Sequence, residues 1–127
     1  MEIHKSGEDY LETILRLQQQ KGRVRSIDIV TDMNFSKPSV SVAMKKLRES
    51  GHVRMDETGL LTLTDEGMAV AQRIYERHQV LTRMLTALGV EEAVAAEEAC
   101  LIEHDISDDT FEKIKTHFSD KMENALY

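Results

Sequence analysis

The chain has 127 residues, of which 41% are hydrophobic and 31% charged, so it has room for one core-bearing domain or one small domain with a dimerising extension. No apolar run approaches the roughly 20 residues of a transmembrane helix, the N-terminus does not resemble a signal peptide, and a single cysteine excludes an intramolecular disulfide. We therefore expect a cytoplasmic protein with a reduced Cys100 and no membrane partner.

The charge is unevenly distributed along the chain. The formal net charge is −7, which by itself argues against nucleic acid as a partner. Residues 21–54, however, contain eight basic and three acidic residues, so this segment carries +5 while residues 55–127 carry −10. A basic segment in an acidic chain is typical of a phosphate-binding surface, although a solvated helix face would give the same count.

Two short helices joined by a tight turn follow the first helix. The first helix is predicted over residues 6–20, and a second, capped by Ser26, over residues 26–33. Ser36 caps a third helix, with Pro38 in its first turn, where the missing N–H costs nothing. Two helices around a tight turn, the second opening with small polar residues, are typical of a helix-turn-helix.

A β-hairpin is predicted directly after the third helix. Residues 53–55 and 60–63 are short strand candidates, and residues 56–59 form the turn between them. A hairpin in this place makes a winged helix, and the combination is more specific than either of its parts. We therefore predict that residues 1–64 form a winged helix-turn-helix DNA-binding domain.

The second half of the chain predicts three helices. A long connector helix over residues 65–88 carries His78 within its apolar stripe, a helix over residues 91–105 follows it, and Ser107 caps a last amphipathic helix. The apolar side of this last helix consists of Phe111, Ile114, Phe118 and Met122. Because no further layer covers these helices, we predict that residues 65–127 form a helical metal-binding and dimerisation domain. The predicted fold is mostly α with a small β-hairpin.

Cys100, Glu103 and His104 carry metal-ligand chemistry at helical spacing. Positions i, i+3 and i+4 share one helix face, so a thiolate, a carboxylate and an imidazole would point the same way and hold a divalent transition metal. A buried cysteine beside a solvated Glu-His pair would give the same pattern. His78 has a similar alternative, since a histidine on an apolar face is usually hydrogen-bonded within a core.

Two acidic residues of the first helix complete the set of candidate ligands. Asp9 and Glu12 are three residues apart and share a face, although acidic residues near a helix N-terminus also stabilise the helix by themselves. The six candidates come from three helices, and we expect them to meet where the winged helix joins the dimerisation domain.

Five motifs carry a resemblance to a known family. They are Glu8-Asp9-Tyr10-Leu11-Glu12, Ser36-Lys37-Pro38-Ser39-Val40-Ser41, Leu63-Thr64-Asp65-Glu66-Gly67, Arg77-His78 and Cys100-Leu101-Ile102-Glu103-His104. In order and spacing they resemble the diphtheria-toxin-repressor family of metal-dependent transcriptional regulators. In size the chain is similar to the manganese-transport-regulator branch, which lacks the C-terminal SH3-like domain of the longer iron-dependent repressors.

The resemblance implies a set of metal ligands. The primary site would consist of Asp9, Cys100, Glu103 and His104, and a neighbouring site would include Glu12 and His78. In the manganese branch a bridging glutamate occupies the position of Cys100, whereas a cysteine there is similar to the iron-dependent repressors. The ancillary site of those repressors is not matched, because Thr82 and Ala96 stand where a carboxylate and a histidine are expected.

The ligand chemistry leaves the identity of the metal open. Carboxylates favour Mn(II), whereas a thiolate and imidazoles shift the preference toward Fe(II), Co(II) or Zn(II). We expect Fe(II), with Mn(II) close behind and with Zn(II) or Co(II) able to substitute in vitro. The ligands must lose their protons, so metal binding should weaken as the pH falls. The resemblance further implies a homodimeric repressor of Fe(II) or Mn(II) uptake genes, with the metal as corepressor and a palindromic operator in double-stranded DNA.

The third helix is the predicted DNA-reading element. Its N-terminal end, which normally meets base edges and phosphates, contains Ser36, Lys37, Pro38, Ser39 and Ser41. Val42 is placed to meet a thymine methyl group. The phosphate-contact candidates are Arg25, Lys45, Lys46, Arg48 and Arg54.

Two other functions are weighed against this one. A winged-helix regulator could sense a small organic effector in a groove under the connector helix, but six clustered ligands argue against it. A metalloenzyme could bind Zn(II) through Cys100, Glu103 and His104 with one open position. The sequence has no HExxH motif, no activated nucleophile and no apparent substrate pocket, so we predict that the chain is not an enzyme.

Overall fold

The structure, a computed structural model, describes the backbone of residues 5–126 and the side chains of residues 5–118. Over these residues the chain forms six helices and one three-stranded sheet, which confirms the predicted fold class. The chain falls into two compact units, one ending at Arg73 and the other beginning at Ile74. No helix in the described part is long and apolar enough to span a membrane. The predicted domain boundary after residue 64 stays a prediction.

The first unit is built on three helices packed through aliphatic side chains. Its elements are α1 (Lys5–Lys21), β1 (Val24–Arg25), α2 (Ser26–Met33), α3 (Lys37–Glu49), β2 (Val53–Met55), β3 (Leu60–Leu63) and the start of α4 (Asp65–Ala87). Ile29 on α2 and Val40 and Met44 on α3 are at most 1% exposed. Burial of such a side chain stabilises the fold by about 1.5–3 kcal/mol. Because the apolar stripe of α3 faces this core, the opposite side of α3 faces solvent.

The N-termini of α2 and α3 are capped in different ways. Ser36 Oγ accepts a hydrogen bond from the Ser39 backbone N–H at 3.2 Å, as predicted. Ser26, the predicted cap of α2, is instead its first helical residue. The cap position is Arg25, whose backbone N–H donates to the Asp28 carboxylate at 2.8 Å. The acceptor for this N–H therefore comes from inside the helix, three residues after the cap.

The sheet has one more strand than was predicted. β3 lies between β1 and β2 and is antiparallel to both, with Leu61 paired to Val24 on one side and to Met55 on the other. The two strands of the hairpin have the predicted bounds. β1 was missed because a strand of two residues is too short to show an alternating pattern. The sheet therefore ties the connection between α1 and α2 to the wing.

The turn of the wing is organised by Asp56. Its Oδ1 accepts hydrogen bonds from the Thr58 hydroxyl at 2.7 Å, the Thr58 N–H at 2.8 Å and the Leu60 N–H at 2.9 Å. The Thr58 hydroxyl, followed by the Leu60 N–H, lowers the pKa of Asp56 below its ordinary value. Gly59 completes the turn with φ +85°, a left-handed conformation that side chains disfavour.

The start of α4 is locked to the residues between α3 and β2. Thr64 caps α4, since its hydroxyl accepts from the Gly67 N–H at 3.1 Å and donates to the Gly51 carbonyl at 2.7 Å. The backbone of Gly67 lies so close to His52 that a Cβ at this position would be 2.0 Å from the His52 carbonyl oxygen. Only glycine fits this approach, so position 67 fixes where α4 leaves the wing.

The second unit contains the remainder of α4, α5 (Glu92–Ile102) and α6 (Asp108–Leu126). Ser107 caps α6 as predicted, accepting from the Thr110 N–H at 3.1 Å. Phe111 is buried, whereas Ile114 and Phe118 are half-buried. Met122, the fourth predicted apolar residue of α6, lies outside the described side chains.

The predicted C-terminal end of α5 was wrong. The helix ends at Ile102 rather than at residue 105, and Glu103 is its C-cap with φ −59° and ψ −21°. The Glu103 N–H still donates to the Ala99 carbonyl at 2.9 Å, so Glu103 keeps its helical relation to Cys100. His104 lies beyond the helix. The i+4 argument that placed it beside Cys100 therefore does not apply.

Candidate metal centre and nucleic-acid interface

Glu103 is the centre of the candidate metal site. Its side chain is fully buried, and its Oε2 lies 2.9 Å from His78 Nδ1. Its Oε1 has no hydrogen-bond partner among the described residues, and His104 Nε2 lies 3.4 Å from it, outside hydrogen-bond geometry. A buried carboxylate oxygen left unpaired costs about 1–3 kcal/mol or more. This oxygen is therefore placed to accept a cation.

His78, Cys100 and Glu103 bring three different ligand atoms together. One nitrogen of His78, the Cys100 sulfur and one Glu103 oxygen all lie within 4.8 Å of one another. α4 positions His78 between the buried Ile74 and Leu81, α5 supplies Cys100 and the C-cap of α5 supplies Glu103. An imidazole, a thiolate and a carboxylate suit a divalent transition metal such as Fe(II), Co(II), Zn(II) or Mn(II). The three donors fit a divalent transition metal, which is the class of ion that the sequence predicts.

His104 does not belong to this three-residue group. Its side chain is only 2% exposed, and its Nε2 approaches Glu103 from the side of the unpaired Oε1. It is thus a neighbour of the same carboxylate, reached by a turn rather than by helical spacing. Its predicted role as a ligand stays a prediction.

Asp9 and Glu12 belong to the first unit. Both lie on one face of α1 and both are half-buried. The Asp9 carbonyl accepts a hydrogen bond from the Thr13 hydroxyl at 2.8 Å, within the same helix. Their predicted role as ligands from α1 stays a prediction.

Thr82 and Ala96 stand where the sequence departs from the ancillary metal site that the resemblance implies. The Thr82 hydroxyl donates to the His78 carbonyl at 2.7 Å, one helical turn back. Its oxygen is thus engaged with the backbone of α4 rather than offered as a ligand. Ala96 on α5 has no ligand atom at all.

Arg77 is the residue whose importance the sequence reasoning missed. It appeared there only as the neighbour of His78, yet its guanidinium is buried and donates to the Glu103 carbonyl at 3.0 Å. Basic side chains are usually exposed, and no spacing rule in the sequence marks an arginine that binds backbone carbonyls 26 residues away. The signal that was available is its position directly before a candidate ligand.

The predicted DNA-reading residues share one exposed surface of the first unit. Ser36, Lys37, Pro38, Ser39, Ser41, Val42, Lys45, Lys46 and Arg48 are all exposed on or next to α3. Val42 is 55% exposed, although it is apolar. No acidic group of the described residues pairs with Lys45 or Lys46, so both ammonium groups are available for phosphates.

Other basic residues of the first unit are already engaged. Lys21 pairs with Asp28 at 2.8 Å, and the Arg25 Nε donates to the Thr58 carbonyl in the wing turn at 3.3 Å. The ammonium of Lys21, followed by the backbone N–H of Arg25, lowers the pKa of Asp28 below its ordinary value. Lys45 and Lys46 of α3 differ from these two residues in having no acidic partner among the described residues.

Two family models together match almost the whole chain. One, described as the N-terminal DNA-binding domain of iron-dependent repressors, matches residues 2–61. The other, described as the metal-binding and dimerisation domain of iron-dependent repressors, matches residues 64–124. The first model covers the exposed surface of α3, and the second covers His78, Cys100 and Glu103.

The relatives that are similar in sequence include two transcriptional regulators. An uncharacterised HTH-type transcriptional regulator of Methanocaldococcus jannaschii is 32% identical over 126 residues, covering 98% of this chain and all of that protein. The transcriptional regulator MntR of Escherichia coli O6:H1 is 32% identical over 108 residues, covering 85% of this chain and 70% of MntR.

The solved structures that are similar in fold include two manganese regulators. The manganese regulator SloR matches with a TM-score of 0.78 and 28% identity, over 94% of this chain and 55% of SloR. A manganese-dependent transcriptional repressor in complex with manganese matches with a TM-score of 0.81 and 29% identity, over 89% of this chain and 52% of that one. The chain thus spans about half the length of these solved chains.

The comparisons confirm the resemblance that the five sequence motifs indicated. They also confirm that the chain is not an enzyme, because the matched family consists of DNA-binding regulators. Its two domains imply DNA and a second copy of the chain as partners, and a divalent metal as ligand. The chain belongs to the iron-dependent repressor family, the diphtheria-toxin-repressor family of metal-dependent transcriptional regulators.

Proposed function

We propose that this chain is a repressor of Fe(II) or Mn(II) uptake genes and uses the same metal as its corepressor in the cytoplasm. The observation that carries the proposal is the buried Glu103 carboxylate. One of its oxygens lies 2.9 Å from His78 Nδ1, and the other has no hydrogen bond among the described residues and lies 3.4 Å from His104 Nε2. A carboxylate placed in this way is costly without a cation and useful with one. The exposed basic surface of α3 supplies the DNA-binding half of the function.

The proposed ligand set extends beyond the three-residue group. His78, Cys100 and Glu103 form its core in the second unit. Following the sequence resemblance, we assign Asp9 and His104 to the same primary site and Glu12 to a neighbouring one. We move His78 from that neighbouring site to the primary one, because it lies beside Cys100 and Glu103. When bound, the divalent ion supplies the positive charge that compensates the thiolate and the carboxylates.

Cys100 decides the metal preference that we propose. A thiolate favours softer ions than an all-oxygen site does, and this shifts the preference from Mn(II) toward Fe(II). Fe(II) also binds more tightly than Mn(II) at a given set of N, O and S ligands. We therefore place Fe(II) first and Mn(II) second, with Zn(II) and Co(II) as substitutes in vitro.

DNA reading falls to the N-terminal end of α3. Ser36, Lys37 and Ser39 would contact base edges and nearby phosphates, and Lys45, Lys46 and Arg48 would contact phosphates along the groove. In a homodimer the two α3 helices would meet a palindromic operator at half-sites about one helical turn apart, or a multiple of it. The metal stabilises the DNA-binding arrangement of the dimer only to the extent that it binds this arrangement more tightly than the other arrangements.

The test is DNA binding with and without metal. Duplexes are first selected from a random library in the presence of Mn(II), and the dissociation constant of the full chain is then measured with chelator, Mn(II), anaerobic Fe(II) or Zn(II). We expect metal to tighten binding by about 5- to 150-fold, the usual range of allosteric coupling. Cys100→Ala should lower the response to Fe(II) more than the response to Mn(II), because only the thiolate is lost.

The matched control is Glu98→Ala, which removes an exposed carboxylate from the same helix. It should leave the response to every metal unchanged. If the unaltered chain binds DNA equally well with chelator and with metal, the proposed gating by metal is wrong. A regulator with another effector would then remain.

A further inference from the structure

Arg77 holds the segment that joins α5 to α6. It is 5% exposed, and one guanidinium nitrogen donates to both the Glu103 carbonyl at 3.0 Å and the Ile106 carbonyl at 2.8 Å. The other terminal nitrogen donates to the Asp108 carboxylate, and the guanidinium carbon lies 5.3 Å from the centre of the Phe111 ring. All of these contacts are made with residues 103–111, across the second unit from α4.

The end of α5 needs such a partner. The last carbonyls of a helix receive no hydrogen bond from a backbone N–H within it, and no glycine or proline between residues 103 and 107 stops the helix by itself. A guanidinium presents several donors in a rigid plane, so it can satisfy two carbonyls and one carboxylate at once. A lysine in this place would offer a point charge and could not reproduce the planar fork.

Arg77 and His78 contact the backbone and the side chain of the same residue, Glu103. Arg77 binds the backbone carbonyl of Glu103, while His78, the next residue of α4, contacts the carboxylate of Glu103 at 2.9 Å. The bond to the carbonyl fixes the point from which the Glu103 side chain starts, and its complete burial limits the rotamers that would carry the carboxylate away from His78 and Cys100. Ligands that are not positioned in advance bind the ion more weakly, because metal binding must then also order their side chains, at a cost in conformational entropy.

We propose that Arg77 is a positioning residue of the metal centre, which keeps the Glu103 carboxylate beside His78 and Cys100. The proposal rests on the proposed function, since it requires that these three residues bind the ion. It goes beyond a stabilising role for Arg77, because a loop anchor remote from the ligands would affect folding and leave the affinity of the folded protein for metal unchanged.

The experiment titrates the full chain with Co(II), a probe whose spectrum reports its ligands. The thiolate-to-cobalt charge-transfer band reports Cys100, the visible d–d bands report coordination geometry, and the titration gives the dissociation constant. Arg77→Met should weaken Co(II) binding by about 10- to 100-fold and change the visible bands. Arg77→Lys should recover part of the affinity. Asp108→Asn, which alters one exposed contact of Arg77, should cause a loss below about tenfold.

Arg83→Met is the matched control, because Arg83 is an exposed arginine of the same helix. It should bind Co(II) like the unaltered chain. Equal affinity and equal spectra for Arg77→Met and the unaltered chain would overturn the proposal. If Arg77→Met does not fold, as judged by circular dichroism, unchanged affinity in both Arg77→Lys and Asp108→Asn would overturn it instead. Failure of the unaltered chain to bind Co(II) would overturn the metal site itself, so the two failures are distinguishable.

Discussion

The two units differ in how completely their own packing satisfies their side chains. In the first unit no buried side-chain nitrogen or oxygen of the described residues lacks a hydrogen bond, although Ile27 of α2 and Val42 of α3 are exposed apolar residues. The second unit buries Glu103 with an unpaired oxygen and leaves Leu88 and Leu101 exposed at 67% and 56%. The contrast teaches that the second unit is built to be completed from outside, by an ion and by a second copy of the chain.

The largest effect is expected from the core of the first unit. Met44→Ala removes a side chain that is 1% exposed and should lower the free energy of unfolding by about 2–5 kcal/mol. Denaturant unfolding followed by circular dichroism measures it. Val42→Ala, on the exposed side of the same helix, should stay within about 0.5 kcal/mol of the unaltered chain. A large loss for Val42→Ala would mean that the exposed face of α3 is not free in solution.

The second prediction is that Glu103→Gln stabilises the metal-free protein and abolishes its binding of metal. Glu103→Gln keeps the shape of the side chain but removes a carboxylate with an unpaired oxygen, so the metal-free protein should gain about 1–3 kcal/mol in its free energy of unfolding. The same change should abolish the rise in melting temperature that Mn(II) or Co(II) gives the unaltered chain. Differential scanning calorimetry measures both. A variant destabilised without metal would show that the carboxylate is satisfied by the fold alone.

The third prediction concerns the charge that the first unit leaves exposed. Lys45→Ala and Lys46→Ala should weaken binding to all DNA sequences alike, and each should reduce the slope of log K against log salt by about one. Fluorescence anisotropy of labelled duplexes between low and moderate salt gives the slope. Lys113→Ala removes a lysine from α6, where it pairs with Asp109, and should leave the slope unchanged. An unchanged slope for both α3 variants would remove these lysines from the interface.

The smallest effect is expected from an ion pair on the surface of the first unit. The Lys21 ammonium, followed by the Arg25 N–H, lowers the pKa of Asp28 below its ordinary 3.8. Asp28 therefore contributes stability above its ordinary pKa, and this contribution is lost as the pH falls through the lowered value. Asp28→Asn should cost less than about 1 kcal/mol at pH 7, a gap that closes in acid. A gap that persists at pH 2 would assign it to helix capping rather than to charge.

Local signals made the first unit the more predictable of the two. Turn and cap residues such as Ser36 and Gly59 act within a few residues of themselves, so the bounds of α2 and of the hairpin could be predicted. The end of α5 could not be, because no glycine or proline marks it and its C-cap carbonyl is bound by Arg77, 26 residues earlier in the chain. The sequence brought His78, Cys100 and Glu103 to one junction, but the family resemblance placed His78 in a neighbouring site with Glu12 rather than in the primary one. Neither the missing hydrogen bond at Glu103 Oε1 nor the absence of His104 from the three-residue group could be predicted, because both depend on contacts that spacing along the sequence does not reveal.

The tight approach of Gly67 to His52 has a mechanical consequence. No methyl group fits between Gly67 and His52, and the Thr64 hydroxyl donates a hydrogen bond to the Gly51 carbonyl. We therefore expect the first turn of α4 and the base of the wing to move as one rigid body. α4 is a continuous rod of 23 residues, about 34 Å long. A rotation of the first turn of α4 is therefore expected to carry the base of the wing with it.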